Sequence, residues 1–339
     1  MNIKFPSRIR LAQLPTPIQQ LGRLSEEFGG PSLFVKRDDL TESVLSGNKV
    51  RKLEFALAES LRQKASVVIT AGGVQSNHCR ATALACARLG LECHLILRGQ
   101  RPSVPQGNLL LDYLAGARIS FFPREVYSTR KPEIVGELIE KYAREGKRAY
   151  YIPVGASNAI GSLGYVRAWM EILGQLDKSG LRIDHIVTAV GSGGTLAGLI
   201  AGRLLSRRRK PEIWGVNVCD DASTFVHEVH KILEEMNDRF GTRFRTANVE
   251  VKIFDGYVGP GYALPYKEEL DLIVHAARRE GLVLDPVYTG KAFYGLSQEI
   301  HKGTFGPNEN VLFIHTGGTF GLLAQAGEFR ELTKQQAKQ

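Results

Sequence analysis

Short, unbroken apolar runs set between longer segments of helical period constrain this 339-residue chain more than any other feature. Residues 67–70 (VVIT) form one such run, and 93–97, 186–190, 213–218 and 311–314 form others. Each is continuous rather than alternating, which is the pattern of a parallel strand covered on both faces. Between them, the segment 48–62 spaces Val50, Leu53, Leu57 and Leu61 by three and four, giving one apolar stripe on a helix. This alternation predicts an α/β chain with two doubly wound domains and parallel twisted sheets, and the length suffices for two cores. There is no internal repeat and no Pro/Gly linker, so short connections have to cross the boundary, around 43–47 and 151–161. The expected division is a small α/β domain over 48–165 and a larger one built from 1–47 and 166–339.

Composition closes off several classes. Hydrophobic residues make up 43% and charged residues 23%, near the average for globular domains. No window approaches the ~20 apolar residues of a spanning helix. Residues 1–11 carry charges and no apolar centre, so no secretory signal is expected. Cys79, Cys86, Cys93 and Cys219 form no Cys-x-x-Cys pair. Neither a metal site nor a disulfide framework is expected, and a reducing cytoplasm fits. The net charge of +9 concentrates in Arg207-Arg208-Arg209-Lys210, after an apolar helical stretch. That run reads as a solvated helix end rather than a nucleic-acid patch.

Five segments carry chemistry. In Gly191-Ser192-Gly193-Gly194-Thr195, after a strand and before a helix, glycines expose backbone N–H groups at a helix N-terminus, which suits a phosphate. Read alone, it also fits a plain tight turn. Leu196 stands where a dinucleotide fingerprint needs glycine. In Ser46-Gly47-Asn48-Lys49, Asn48 is placed to cap a helix and Lys49 falls in its first turn. There the helix dipole, Arg51 and Lys52 disfavour a charged amine, as a nucleophilic lysine requires; Lys52 shares its face. Gln75-Ser76-Asn77-His78 places Ser76 or Asn77 at a helix start, facing an anion such as a substrate carboxylate. His78 reads either as an acid–base group or as a neighbour of the cap. Asp285-Pro286-Val287-Tyr288-Thr289 and His315-Thr316-Gly317-Gly318-Thr319 are each, alone, strand-end turns.

Taken in this order, together with Leu14-Pro15-Thr16-Pro17 and Lys36-Arg37-Asp38-Asp39, the segments resemble the D-cysteine desulfhydrase and aminocyclopropane-carboxylate deaminase family. That family belongs to the pyridoxal 5'-phosphate enzymes of the tryptophan-synthase-β-like fold, and the resemblance covers nearly the whole chain. It implies that Lys49 carries the cofactor and that Asn77 bonds its ring hydroxyl. It implies further that Gly191, Ser192, Gly193, Gly194 and Thr195 cradle its phosphate, and that Tyr288 lies near the ring with Tyr262 beside it. Ser76 matches the serine close to the substrate, and Thr316 a hydroxyl at the ring nitrogen. Asp38 and Asp39 are expected to be structural partners of Arg51 or Lys36. A small amino-acid substrate and a homodimer are also implied.

In the deaminases of that family the position of Thr289 is a glutamate pairing with the ring nitrogen, and that of Thr316 is apolar. The two threonines therefore point to β-elimination from D-cysteine rather than cyclopropane opening, with D-serine, β-chloroalanine and L-cysteate as further substrates to consider. Two readings from other classes remain. A nucleotide-dependent oxidoreductase would use the glycine loop and Asp220, and a non-catalytic nucleic-acid binder would use the basic run.

Overall fold

The computed structural model describes residues 3–330. Ten strands run through them: β1 (Ile18–Gln20), β2 (Ser32–Lys36), β3 (Val67–Gly73), β4 (Glu92–Arg98), β5 (Arg118–Phe122), β6 (Ala149–Tyr151), β7 (His185–Val190), β8 (Glu212–Asn217), β9 (Lys252–Phe254) and β10 (Asn310–Ile314). They build a six-stranded sheet in the order β1-β2-β10-β7-β8-β9 and a four-stranded sheet in the order β5-β4-β3-β6. Every neighbouring pair is parallel except the edge pair β1–β2. The five apolar runs all lie in these strands, save Val218, which follows the end of β8.

Eleven helices cover the sheets: α1 (Gly22–Phe28), α2 (Asn48–Arg62), α3 (Asn77–Arg88), α4 (Gly107–Leu114), α5 (Arg124–Arg144), α6 (Ala159–Ser179), α7 (Gly194–Ser206), α8 (Ala222–Phe240), α9 (Lys267–Glu280), α10 (Thr289–His301) and α11 (Thr319–Leu323). The continuous runs have a direct cause. In the large sheet, Ile186, Val190, Ile213, Leu312 and Ile314 pack under α6, α7 and α8. Their neighbours Val187, Ala189, Val216, Val311 and Phe313 pack on the other face, against α9 and α10. The small sheet repeats the scheme: Val68, Leu95 and Leu97 face α2 and α3, while Val67, Ile69 and Ile96 face α5. Both faces are dry, so neither calls for polar alternation.

Helix α2 has the expected bounds, and Val50, Leu53 and Leu57 are buried, but Leu61 is 41% exposed, so the stripe stops one turn early. The connection from the small sheet back to the large one passes through 152–158 into α6. Residue 165, the expected boundary, lies inside α6, whose Ile160, Leu163 and Val166 already belong to the large core.

A buried charge network fixes α2 from beneath. Arg51 bonds Asp38 through Nε and Nη2 (2.9 and 2.7 Å) and Glu171 through Nη1 and Nη2 (both 2.9 Å). Lys36 Nζ meets Glu171 at 2.6 Å, and the Tyr165 hydroxyl donates to Asp38 at 2.6 Å. Asp38 is thus the expected partner of Arg51. Asp39 instead pairs with Arg37 at 2.7 Å, because the turn after β2 points it outward. The basic run lies past the end of α7, exposed, with Arg208 and Lys210 facing Asp177 and Glu212.

Candidate active site

A cavity of about 1300 Å³ opens where the ends of the two sheets face each other. Its lining contains Lys49, Ser76, Asn77, His78, Gly191, Ser192, Gly193, Thr195, Tyr262, Tyr288 and Thr316. These residues span some 270 positions of sequence, and strand-end turns bring them together, where open parallel sheets form clefts.

Lys49 sits in the first turn of α2. The N-cap position belongs to Gly47, with φ 96°, not to Asn48. A side chain on Gly47 would strike the Thr316 carbonyl at 2.6 Å, so this close approach requires glycine. Freed from capping, the Asn48 amide donates to Thr195 Oγ1 at 3.0 Å and its Oδ1 accepts from Lys49 Nζ at 2.9 Å. Burial pushes the Lys49 amine down to about 8; Asp285 opposes the shift and Arg80 adds to it. The expected contributors, Arg51 and Lys52, are occupied elsewhere: Arg51 is neutralised by its carboxylates, and Lys52 turns toward the glycine loop.

That loop joins β7 to α7. Lys52 Nζ donates to Ser157 Oγ at 3.0 Å, and Ser157 donates to Ser192 Oγ at 2.9 Å. The Gly194 N–H reaches Ser157 Oγ at 3.3 Å. A side chain on Gly194 would meet Ser157 at 2.6 Å and Lys52 Nζ at 2.8 Å. A fully buried amine, two hydroxyls and a helix N-terminus therefore converge with no carboxylate partner on Lys52. Burial, then the charge of Lys49, hold the Lys52 amine well below its ordinary range. A phosphate fits this donor set.

The third turn follows β3. Ser76 caps α3, accepting from the Cys79 N–H at 3.2 Å. Asn77 Oδ1 accepts from Asn108 Nδ2 at 3.0 Å, which leaves the Asn77 amide nitrogen to donate into the cavity. His78 is buried, and its Nε2 lies 2.9 Å from Thr70 Oγ1, whose own proton goes to the Ile152 carbonyl at 2.7 Å. Nε2 is thus the donor. Burial, with Lys49 and Lys52 nearby, keeps the ring neutral. His78 is accordingly held into β3 as the neighbour of the cap.

On the far wall, the Tyr262 and Tyr288 hydroxyls share a hydrogen bond of 2.6 Å. Burial raises Tyr262 to about 12 and Tyr288 well above its ordinary value. Lys49 Nζ stands 5.8 Å from the Tyr288 ring centroid. Tyr288 is aimed by Asp285, whose carboxylate accepts from the N–H groups of Val287, Tyr288 and Thr289 at 3.0, 3.0 and 2.9 Å. Thr289 departs from expectation. Its buried hydroxyl donates to Asp285 at 2.7 Å and accepts from the Asp285 N–H at 2.8 Å, so it is spent within the turn and does not line the cavity. Thr316 does line it, at the end of β10. Sequence reasoning passed over Asp285, Ser157, Asn108 and Arg80; only Asp285, four residues before Thr289, had a local signal.

A family described as pyridoxal-phosphate dependent enzymes matches residues 9–317. The chain belongs to this family. Its cofactor is therefore pyridoxal phosphate, and the oxidoreductase and nucleic-acid readings fall away. A protein of Thermotoga maritima named a putative 1-aminocyclopropane-1-carboxylate deaminase is 46% identical over 94% of this chain and 98% of its own. A mitochondrial protein of Arabidopsis thaliana, named a bifunctional D-cysteine desulfhydrase and 1-aminocyclopropane-1-carboxylate deaminase, is 42% identical over 95% of this chain and 80% of its own. The crystal structure of an ACC deaminase homologue superposes with a TM-score of 0.87 at 39% identity, covering 97% of both chains. The α/β architecture of this pyridoxal-phosphate enzyme is thus that of its relatives. No helix among its described residues is long and apolar enough to cross a membrane, and its four cysteines are free and buried.

Proposed function

We propose that this chain is a carbon–sulfur lyase that eliminates the β-substituent of D-cysteine, giving pyruvate, hydrogen sulfide and ammonia. When bound, pyridoxal phosphate supplies the electron withdrawal from the amino-acid Cα that no side chain can supply. The residues do the rest. Lys49 bears the cofactor and, released from it, takes the Cα proton at Nζ; an amine near 8 is matched to that task at neutral pH. Lys52, Ser157, Ser192 and the N–H groups of 191–195 hold the phosphate. The Asn77 amide, aimed by Asn108, donates to the ring hydroxyl, and Tyr288 flanks the ring. Ser76, Asn77 and His78 line the place of the substrate carboxylate, with Tyr262 opposite.

The observation that carries elimination over ring opening is Thr316. It stands just past β10, whereas the acids lining the cavity, Asp220, Glu228, Glu235 and Asp255, all come from the stretch between β8 and the residue that follows β9. A neutral hydroxyl at the ring nitrogen does not hold it protonated as a carboxylate does. Breaking a carbon–carbon bond needs that deeper withdrawal, because carbon leaves poorly; a thiolate leaves without it. Thr289 is committed to Asp285, so Thr316 alone of the two threonines faces the cavity. Purified enzyme given D-cysteine should release sulfide, pyruvate and ammonia in equal amounts, with little product from aminocyclopropane-carboxylate. Efficient ring opening with no sulfide would overturn the reading, and turnover of L-cysteate alone would make it a sulfo-lyase.

The working unit is a cytoplasmic homodimer. Leu114 of α4 and Leu323 of α11, on packed helices, are 72% and 62% exposed, which supports a covered apolar face there. Sedimentation at twice the chain mass would bear this out, and a monomer would not.

A further inference from the structure

Arg98, the last residue of β4, lines the same cavity as Lys49, and its side chain makes neither a hydrogen bond nor an ion pair among the described residues. Its guanidinium lies 5.0 Å from the ring centroid of Tyr262 and 5.8 Å from that of Tyr127. Lys131 Nζ stands 5.4 Å from the Tyr127 ring, and Arg124 lines the cavity one turn before Tyr127. Arg98 and Lys131 thus flank Tyr127 and Tyr262, with Arg124 on the same lining, and none of the three is in an ion pair among the described residues. Stacking on aromatic faces orients a guanidinium but leaves its five donors open. Tyr262 also bonds Tyr288, and Tyr288 lies beside Lys49. Arg98 pairs with Gly73 in the small sheet, three residues before Ser76, and its open donors lie on the Tyr262 side of the tyrosine pair, with Lys49 on the Tyr288 side.

We propose that Arg98 forms the subsite for the group that leaves Cβ and holds it as an anion. The inference rests on the elimination reading and adds a residue to it. As the Cα proton passes to Lys49 Nζ, the electron pair of that C–H bond becomes the Cα–Cβ double bond. The Cβ–S bond breaks, and its pair departs on sulfur as hydrosulfide. Whatever the substituent, it gains one unit of negative charge as it leaves, and a fixed cation there stabilises that change more than the ground state. The substrate class is therefore amino acids whose β-substituent departs as an anion: thiol, sulfonate or halide. Poor leaving groups depend on the cation most.

The test uses cofactor-loaded protein, with the cofactor's absorption band confirming equal loading, and the variants Arg98→Met and Arg98→Lys. In equilibrium dialysis against radiolabelled sulfate, with the phosphate cradle already filled, Arg98→Met should weaken sulfate binding about tenfold, with Lys restoring most of it. In turnover, Arg98→Met should lower kcat for D-cysteine about tenfold and for β-chloro-D-alanine, whose chloride leaves readily, less than about threefold. Unchanged sulfate binding, or equal proportional losses on both substrates, would overturn the proposal. If the unsubstituted enzyme releases no sulfide from D-cysteine, the elimination reading fails, while sulfate dialysis still decides whether Arg98 is an anion subsite.

Discussion

Lys52 Nζ lies 3.0 Å from Ser157 Oγ at the floor of the glycine loop, fully buried and without a carboxylate partner. A buried lysine amine whose only hydrogen-bond partner is a hydroxyl is costly to charge without an anion beside it. Lys52→Met should therefore act in opposite directions on two measurements. The cofactor-free protein should gain roughly 1 kcal/mol in urea unfolding, while cofactor affinity should fall at least about tenfold. Loss of stability with unchanged affinity would place the phosphate elsewhere.

The Lys49 amine, lowered to about 8 chiefly by burial, is neutral above that pH and charged below it. Only the neutral amine is nucleophilic. The rate at which cofactor-free protein takes up pyridoxal phosphate should rise about tenfold per pH unit below 8 and level off above it. A rise continuing to pH 10 would mean an unperturbed lysine.

Asp285 gathers three backbone N–H groups and the Thr289 hydroxyl at the start of α10. Asp285→Ala leaves these buried donors unpaired, and unfolding stability should drop by roughly 2–4 kcal/mol. Since Asp285 also opposes the lowering of Lys49, the uptake profile of any folded Asp285 variant should move to lower pH. An unmoved profile would remove Asp285 from the electrostatics of the site.

Burial raises Asp38 and Glu171, but Arg51 and Lys36 outweigh it and hold both below their ordinary values. Carboxylates depressed in the folded state contribute stability above their unfolded values, near about 4, and lose it as pH falls through the folded ones. Unfolding free energy should therefore decline steadily below about pH 4. Arg51→Met, which strands buried Asp38 and leaves half-buried Glu171 only Lys36, should cost about 3–5 kcal/mol at pH 7 and flatten that acid slope.

The sequence made the central strands legible because both their faces are buried, so β3, β4, β7, β8 and β10 each carry a continuous apolar run, whereas the short or partly exposed β1, β5, β6 and β9 do not. Helix α2 was legible from Val50, Leu53 and Leu57, and the five turns from their glycines and short polar residues. What stayed hidden is tertiary. Asn108 orients Asn77 across 31 positions, and Ser157 meets Lys52 across 105. No periodicity encodes either pairing. Lys52 was visible only as a second lysine on the face of Lys49, and its lack of an acid can be seen only once the fold is closed. Thr289 was misplaced for a local reason: Asp285, four residues earlier, claims its hydroxyl, so residue type alone did not decide which of two threonines reaches the cavity.

Lys49, rather than the fully buried Lys52 one helical turn on, is the proposed bearer of the cofactor. Borohydride fixes a lysine-bound pyridoxyl group irreversibly, so reduction of the loaded enzyme followed by digestion and peptide mass spectrometry reads the attachment site directly. The label should fall on Lys49, and Lys49→Ala should lose both the label and the violet absorption band. A label on Lys52, or on any lysine outside the cavity, would contradict the account.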